Sequence, residues 1–309
     1  MFYVNLPTVN DRKPGEPAPP IPEGASLPLL REDTPTHQAN ALLYSDGRPT
    51  EQMLELARAY AEIEPWKTTL LRLRRSAVPL AFAQPPFSLQ THENPATGAR
   101  TIFVVNNSIS QSAESEISFF SMIESVTDLK TQKILPLKKG AHDMLTARLT
   151  LAPGDGTLLV LKQREGQEAV LLYHEDFAVI NRARTFERAV ICMRPGAWGM
   201  GYEAVVTADN PDPQKVAKPG SVAYDLQQIG GAPSAGLRRY ILYDGSRGAK
   251  SGEMVMLAVS KDDKIFSWIS VDDFNHPILI PDDAKTVRFE LNPGGTLEGF
   301  DLIGVSGAK

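Results

Sequence analysis

The amino-acid sequence predicts a mainly β chain, in which two antiparallel β-sandwich domains follow an N-terminal segment with a single helix. Two observations support this prediction. After residue 80 the apolar residues recur with a period of two, as in half-buried strands. Turn signals such as 153–156 and 293–295 separate many short segments of this kind. Because no helical pattern lies between the segments, sandwiches are favoured over a parallel sheet with crossover helices.

The strands are predicted one by one from this alternation. Residues 145–151 alternate strictly between apolar and polar, and residues 287–291 do the same. Further strands are predicted at 101–105, 116–123, 157–161, 169–173, 188–193, 203–207, 239–243, 254–260 and 265–270. Such a number exceeds the roughly seven strands of one small sandwich. The polar stretch 163–168 is the best boundary between two sandwiches. The predicted domains are therefore 1–80, 81–165 and 166–309.

Residues 1–80 have a different character. Seven prolines lie between Pro14 and Pro35, and they are incompatible with a helix or a central strand, so this segment is predicted to be a long loop. A helix is predicted to begin after Pro49, with Thr50 as its N-cap and Glu51 in its first turn.

Composition excludes several classes of function. The 309 residues include 32 basic and 37 acidic side chains, a net charge of −5, and no basic block, so we expect no nucleic-acid partner. No run approaches the roughly 18 apolar residues of a membrane-spanning helix, so we expect no membrane partner. The single cysteine excludes an internal disulfide. The N-terminus lacks the pattern of a signal peptide. Localisation is left open, because residues 2–6 resemble a buried strand and point to a longer parent chain.

Residues 40–76 carry a recognisable pattern. The run from Ala41 to Thr50 (ALLYSDGRPT) is followed by the predicted helix and then by the run from Leu70 to Ser76 (LLRLRRS). This order resembles the end of the (β/α)8 barrel in glycoside hydrolases of the beta-galactosidase and agarase-like type. The resemblance implies that residues 1–80 are a strand–loop–helix remnant of such a barrel, with residues 1–6 as its eighth strand.

Two later runs resemble the accessory sandwiches of the same enzymes. Residues 103–108 (FVVNNS) are similar to their opening strand, and residues 149–159 (LTLAPGDGTLL) to their closing pair of strands. Residues 254–268 and 287–305 are similar in rhythm to galactose-binding-like jelly rolls. The implied fold is two jelly-roll or Ig-like sandwiches after the barrel remnant.

The resemblance implies a function as well. The chain is expected to be the non-catalytic C-terminal region of a carbohydrate-active enzyme that acts on plant or algal polysaccharide. A secreted or periplasmic parent is compatible with this, and the localisation stays open. The chain would brace the missing N-terminal barrel and bind polysaccharide or oligosaccharide. Catalytic carboxylates of these enzymes lie on earlier barrel strands, so no catalytic residue is assigned here. The alternative is a structural or protein-interaction module without a glycan ligand. A complete enzyme with its site in a sandwich cleft is a third hypothesis, for which the sequence offers no carboxylate pair.

Trp198 and Tyr202 are the candidate glycan-binding residues. Both belong to a glycine-rich stretch, where little covers an aromatic ring, and sugar rings stack on such side chains. Burial in the core or in a domain interface is the alternative. Trp268, on a predicted strand, is assigned to the core.

Metal and cofactor sites have weaker support in the sequence. The five histidines are scattered, and His174-Glu175-Asp176 is explained equally well by a turn at a sheet edge or by a ligand set. Asp209, Asp212 and Asp225 are candidate ligands for a structural calcium ion. No other cofactor is expected. Cys192 lies in an apolar run and is expected to be buried and free.

Overall fold

The computed structural model describes residues 54, 57–58, 60–61, 63–195, 201–209, 218–231, 236–245, 255–269 and 276–306. The chain divides into two compact units, residues 1–72 and 73–309. In the first unit, the described residues between 54 and 63 are helical, as predicted. A 3-10 turn at Glu64–Trp66 contains Pro65 in its first positions, and helix α1 (Lys67–Leu70) follows it.

Ten strands form the first half of the second unit. They are β1 (Arg74–Arg75), β2 (Ala81–Ala83), β3 (Phe87–Glu93), β4 (Arg100–Asn106), β5 (Ala113–Phe120), β6 (Ile123–Asp128), β7 (Lys133–Ile134), β8 (Lys138–Lys139), β9 (Met144–Leu151) and β10 (Gly156–Gln163). Sheet 1 has the order β1-β3-β4-β10-β6-β7, and sheet 2 the order β2-β5-β9-β8. All of their pairings are antiparallel.

The described residues of the second half form eleven strands and one short helix. They are β11 (Ala169–Glu175), β12 (Arg184–Glu187), β13 (Ala189–Pro195), β14 (Tyr202–Ala208), β15 (Gly220–Asp225), α2 (Leu226–Gly230), β16 (Leu237–Gly245), β17 (Val255–Ser260), β18 (Phe266–Ile269), β19 (Ile278–Ile280), β20 (Thr286–Leu291) and β21 (Thr296–Ser306). Sheet 3 has the order β13-β14-β21-β16-β19, with β11 also paired to β21, and sheet 4 the order β12-β15-β20-β17-β18.

Two hydrophobic cores hold these sheets together. Side chains of sheets 1 and 2 share the first core, for example Ile102 on β4 and Phe119 on β5. Sheets 3 and 4 share the second, in which the rings of Tyr224, Phe289 and Phe300 pack with centroids 4.8–6.3 Å apart. The prediction of a mainly β chain with several antiparallel sheets is therefore confirmed.

Sheet 3 is apolar on both faces. Ile241 on β16 belongs to the second core, whereas its neighbour Tyr240 belongs to the first. The Tyr240 ring lies 4.9 Å from that of Phe120 on sheet 2, which in turn lies 5.4 Å from Phe82. The outer face of sheet 2 thus packs on sheet 3 and joins the two halves of this unit.

Asn106 at the end of β4 ties together the two runs that resemble accessory sandwiches. Its fully buried amide Nδ2 donates hydrogen bonds to the carbonyl oxygens of Gln111 (2.9 Å), Ala152 (3.0 Å) and Leu151 (3.3 Å). Its Oδ1 accepts one from the backbone N–H of Ser108 at 3.0 Å. The asparagine in the first run is therefore a structural anchor for the turn that follows β9.

Among the described residues, no helix is long and apolar enough to cross a membrane.

Candidate functional site

The candidate binding surface lies on the hairpin of β13 and β14 at the edge of sheet 3. The two strands pair from Ala189 opposite Ala208 to Pro195 opposite Tyr202. Gly201, immediately before β14, has a φ of +80°, which an L side chain rarely adopts. The side chain of Tyr202 is exposed to 74%. Trp198 lies outside the described residues.

An apolar strip runs along one face of this hairpin. Directly opposed residues of antiparallel strands share a face, so Tyr202 lies on the same side as Pro195, Met193 and Ile191. Met193 is 61% exposed and Ile191 40% exposed, although Val206, opposite Ile191, is fully buried in the second core. We call Ile191, Met193, Pro195 and Tyr202 the apolar strip. The apolar strip lies on the same face as the core residue Val206, but beyond the core, where it is exposed to solvent.

On the other face of the hairpin, the charged side chains of Arg194 and Glu203 help to hold the strands in register. The Nε of Arg194 lies 2.5 Å from the carboxylate of Glu203, and its Nη2 lies 2.5 Å from that of Glu298 on β21. Its Nη1 donates to the hydroxyl of Thr296 at 3.3 Å. Because one guanidinium links β13, β14 and β21, the hairpin that carries the apolar strip is fixed to the sheet.

The three members of the run His174-Glu175-Asp176 at the end of β11 line one cavity but have different partners. His174 is largely exposed and its Nδ1 lies 2.7 Å from Asp301 of β21. Asp176 accepts a hydrogen bond from the backbone N–H of Ala178, and Glu175 is buried. These contacts are those of a turn at a sheet edge. Among the described residues, no group of three His, Cys, Asp or Glu side chains suits a metal ion.

Glu175 forms a buried polar centre that the sequence did not predict. Its Oε2 lies 3.0 Å from the Nη1 of Arg184 and accepts hydrogen bonds from the hydroxyls of Tyr173 (2.9 Å) and Tyr224 (3.0 Å). Its Oε1 accepts from the backbone N–H of Phe177 at 2.9 Å. These partners lie up to 49 residues apart in the chain, so no local spacing reveals them.

Protein groups enclose the Glu175 centre on all sides that its contacts define. The Arg184 and Glu175 side chains are only 5% and 3% exposed. Burial, then the charge of Glu175 and the hydrogen bond to it, raises the pKa of Tyr224 above its ordinary value. Burial is also the largest of the causes that raise the pKa of Tyr173. Since the surrounding groups cover the carboxylate, we assign it the structural role of anchoring residues 176–183.

Of the three calcium candidates, Asp225 is the N-cap of α2. Its Oδ1 accepts hydrogen bonds from the backbone N–H groups of Gln227 (2.8 Å) and Gln228 (3.1 Å). Asp209 is exposed at the end of β14, and Asp212 lies outside the described residues. A calcium ion stays a prediction. Cys192 is free, as expected, but only partly buried, because it lies on the edge strand β13.

Neither the family models nor the sequences of curated proteins match this chain. Among solved structures it is similar to an isomalto-dextranase from Arthrobacter globiformis T6 complexed with panose, at 15% identity and a TM-score of 0.26, over 85% of this chain and 45% of that one. It is also similar to a rhamnosidase from Novosphingobium sp. PP1Y, at 12% identity and a TM-score of 0.22, over 81% of this chain and 23% of that one. The chain spans less than half the length of either glycoside hydrolase. At these values the similarity identifies no family.

Proposed function

We propose that this chain is a β-sandwich accessory region of a carbohydrate-active enzyme and that it binds polysaccharide at the apolar strip. Two sandwiches, formed by sheets 1 and 2 and by sheets 3 and 4, follow the barrel remnant predicted at residues 1–80, although strand β1 (Arg74–Arg75) of sheet 1 lies within these bounds. The shared core of each pair of sheets supports the sandwich arrangement. The pattern at residues 40–76 supports a parent of the beta-galactosidase or agarase-like type.

The exposure of Tyr202 is the observation that carries the proposal. A tyrosine that is 74% exposed presents most of its ring to solvent, and its neighbours Pro195 and Met193 widen the apolar surface. A pyranose ring has an apolar C–H face that stacks on such a ring while its hydroxyls stay hydrated. Arg194 and its carboxylate partners hold the hairpin in place, so the surface is formed before the ligand arrives.

Electrophoresis through gels that contain galactan or agarose tests this proposal. We expect polysaccharide to retard the wild-type chain, and Tyr202→Ala to remove most of the retardation. Tyr60→Ala is the matched control, because Tyr60 is also exposed (54%) but lies in the helical N-terminal unit. Trp198→Ala is expected to act as Tyr202→Ala does. Unchanged mobility of the wild-type chain on a broad panel of glycans would contradict the proposal.

The composition of the strip favours a second candidate, a protein-interaction surface. Ile191 and Met193 are aliphatic and exposed, and protein interfaces are enriched in methionine and aromatic residues. On this hypothesis the barrel of the parent enzyme, not a glycan, covers the strip. Met193→Ser separates the two functions: it should weaken a protein contact as much as Tyr202→Ala does, but it should reduce glycan retardation much less than Tyr202→Ala does, because the sugar stacks on the tyrosine ring.

A further inference from the structure

A cleft of about 220 Å³ lies at the junction of sheets 2 and 3, away from the apolar strip. Its floor is the outer face of sheet 2, where Ser118 and Thr146 stand directly opposite each other and are buried. One pair further along the same face, Glu116 and Arg148 are opposed and exposed. The cleft therefore lies at the boundary between the part of this face that sheet 3 covers and the part that is open to solvent.

A turn anchored from both halves of the unit forms one wall. In this turn (Ala141–Asp143), His142 has φ 51° and ψ 32°, a left-handed conformation that is uncommon outside glycine. The neighbouring Asp143 forms an ion pair with Arg238 of β16 and accepts a hydrogen bond from the hydroxyl of Ser121 at 3.3 Å. These contacts fix the position from which His142 lines the cleft.

The polar groups of the cleft match a neutral ligand that both donates and accepts hydrogen bonds. Among the described residues that line it, Glu116 is the one carboxylate, and none is a lysine or an arginine. These lining residues offer no cation to an anionic ligand, and one carboxylate is too few for a hard cation, which takes six to eight oxygen ligands. The hydroxyls of Ser118 and Thr146 and the imidazoles of His142 and His276 complete a lining suited to several hydroxyl groups.

Gln84, just after β2, adds an unsatisfied donor at the same place. Its Nε2 is buried and has no hydrogen-bond partner among the described residues, a state that native proteins rarely keep without a reason. Met144 and Ile278 supply apolar surface for C–H groups. The volume is smaller than the roughly 300–1,000 Å³ of pockets for drug-sized ligands. It therefore suits one sugar ring rather than an oligosaccharide.

We propose that this cleft binds a single neutral hexopyranose unit, with Glu116 and Thr146 as hydrogen-bonding partners of its hydroxyls. The inference goes beyond the proposed function, because the cleft shares no residue with the apolar strip. The junction of the two sandwiches thus holds a site for a free monosaccharide or a chain end, whereas the strip faces the side of a polymer.

Saturation-transfer NMR of the whole chain with galactose, glucose and mannose tests the site, and titration calorimetry measures the affinity. We expect Glu116→Gln and Thr146→Val each to weaken hexose binding roughly tenfold, the value of one good hydrogen bond to a buried or charged group. Glu124→Gln on sheet 1 and Thr150→Val, exposed on the same strand as Thr146, are matched controls that should bind as the wild type does.

Other outcomes would overturn the inference or, in one case, only the proposed function. No saturation transfer from any hexose would do so, as would unchanged binding by Glu116→Gln and Thr146→Val. Inorganic phosphate that binds in place of hexose would show an anion site. Tyr202→Ala should leave hexose binding intact; if it abolishes the signal, the sugar occupies the apolar strip instead. A chain that binds hexose but not polysaccharide would retain the cleft and contradict only the proposed function.

Discussion

Replacing Asn106 with alanine should destabilise the first core strongly, although the substitution removes only one amide. The side chain makes two well-formed donor contacts, to the carbonyl oxygens of Gln111 and Ala152, and accepts a third hydrogen bond from Ser108. At about 1 kcal/mol of net stabilisation each, these bonds account for about 3 kcal/mol. A buried carbonyl of Leu151 that loses its partner adds about 1 kcal/mol. We therefore expect a loss of about 4 kcal/mol in the free energy of unfolding.

Urea unfolding followed by far-UV circular dichroism measures this loss. The matched control is Asn107→Ala, because Asn107 is exposed and its amide bonds only the hydroxyl of Ser88. The control should change the free energy of unfolding by no more than about 0.5 kcal/mol, as surface substitutions usually do. A loss of less than about 1 kcal/mol for Asn106→Ala, or equal losses for the two variants, would refute the assignment of Asn106 as the anchor of this turn.

Three further predictions concern the second core and the junction of the halves. Glu175→Gln should lower the free energy of unfolding by about 3–5 kcal/mol, because it leaves the buried charge of Arg184 uncompensated. The control Glu187→Gln, at an exposed ion pair, should lower it by less than about 0.5 kcal/mol in the same urea assay. The pKa of Tyr224 is raised in the folded state. Its contribution to the free energy of unfolding is therefore complete below the pKa of an unfolded tyrosine, near 10, and is lost as the pH rises further. Tyr224→Phe should therefore flatten the fall in stability above about pH 10, and an unchanged alkaline slope would show that other groups cause it. Phe120→Ala should cost about 3–5 kcal/mol through the cavity it leaves beside Tyr240, as measured by thermal unfolding, and a loss below about 1 kcal/mol would mean that sheets 2 and 3 are not packed there.

Alternation in the sequence predicted the strands that are buried on one face. The predicted strand 145–151 corresponds to β9 (Met144–Leu151), in which the alternate side chains Ala147, Leu149 and Leu151 pack in the first core. Strand β21 was missed, because it is covered on both faces and two glycines interrupt its apolar residues. A side chain at Gly299 would approach the carbonyl oxygen of Glu175 to 2.4 Å, so glycine is required where β11 and β21 meet. Strand β15 (Gly220–Asp225) was missed because its glycine, serine and aspartate resemble turn residues.

The candidate sites also differ in how far the sequence alone indicates them. Glycines beside Tyr202 indicated an uncovered aromatic, and the structure places this side chain in solvent, while its binding role stays a prediction. The polar run His174-Glu175-Asp176 is visible in the sequence, but the partners of Glu175 and the cleft are not, because Arg184, Tyr224 and Thr146 come from strands that only the sheet topology brings together. A charge such as that of Glu175 can be recognised as buried only when its partners are known.

The decisive measurement is the binding of soluble galactan to the whole chain, followed by titration calorimetry on the wild type, Tyr202→Ala and Tyr60→Ala. We predict saturable binding by the wild type and by Tyr60→Ala, and at least a tenfold weaker affinity for Tyr202→Ala, in line with about 1.5–3 kcal/mol for the burial of one large apolar side chain. Equal affinities for the three proteins would show that the apolar strip is not the glycan site, and an absence of binding to any glycan tested would contradict the account as a whole.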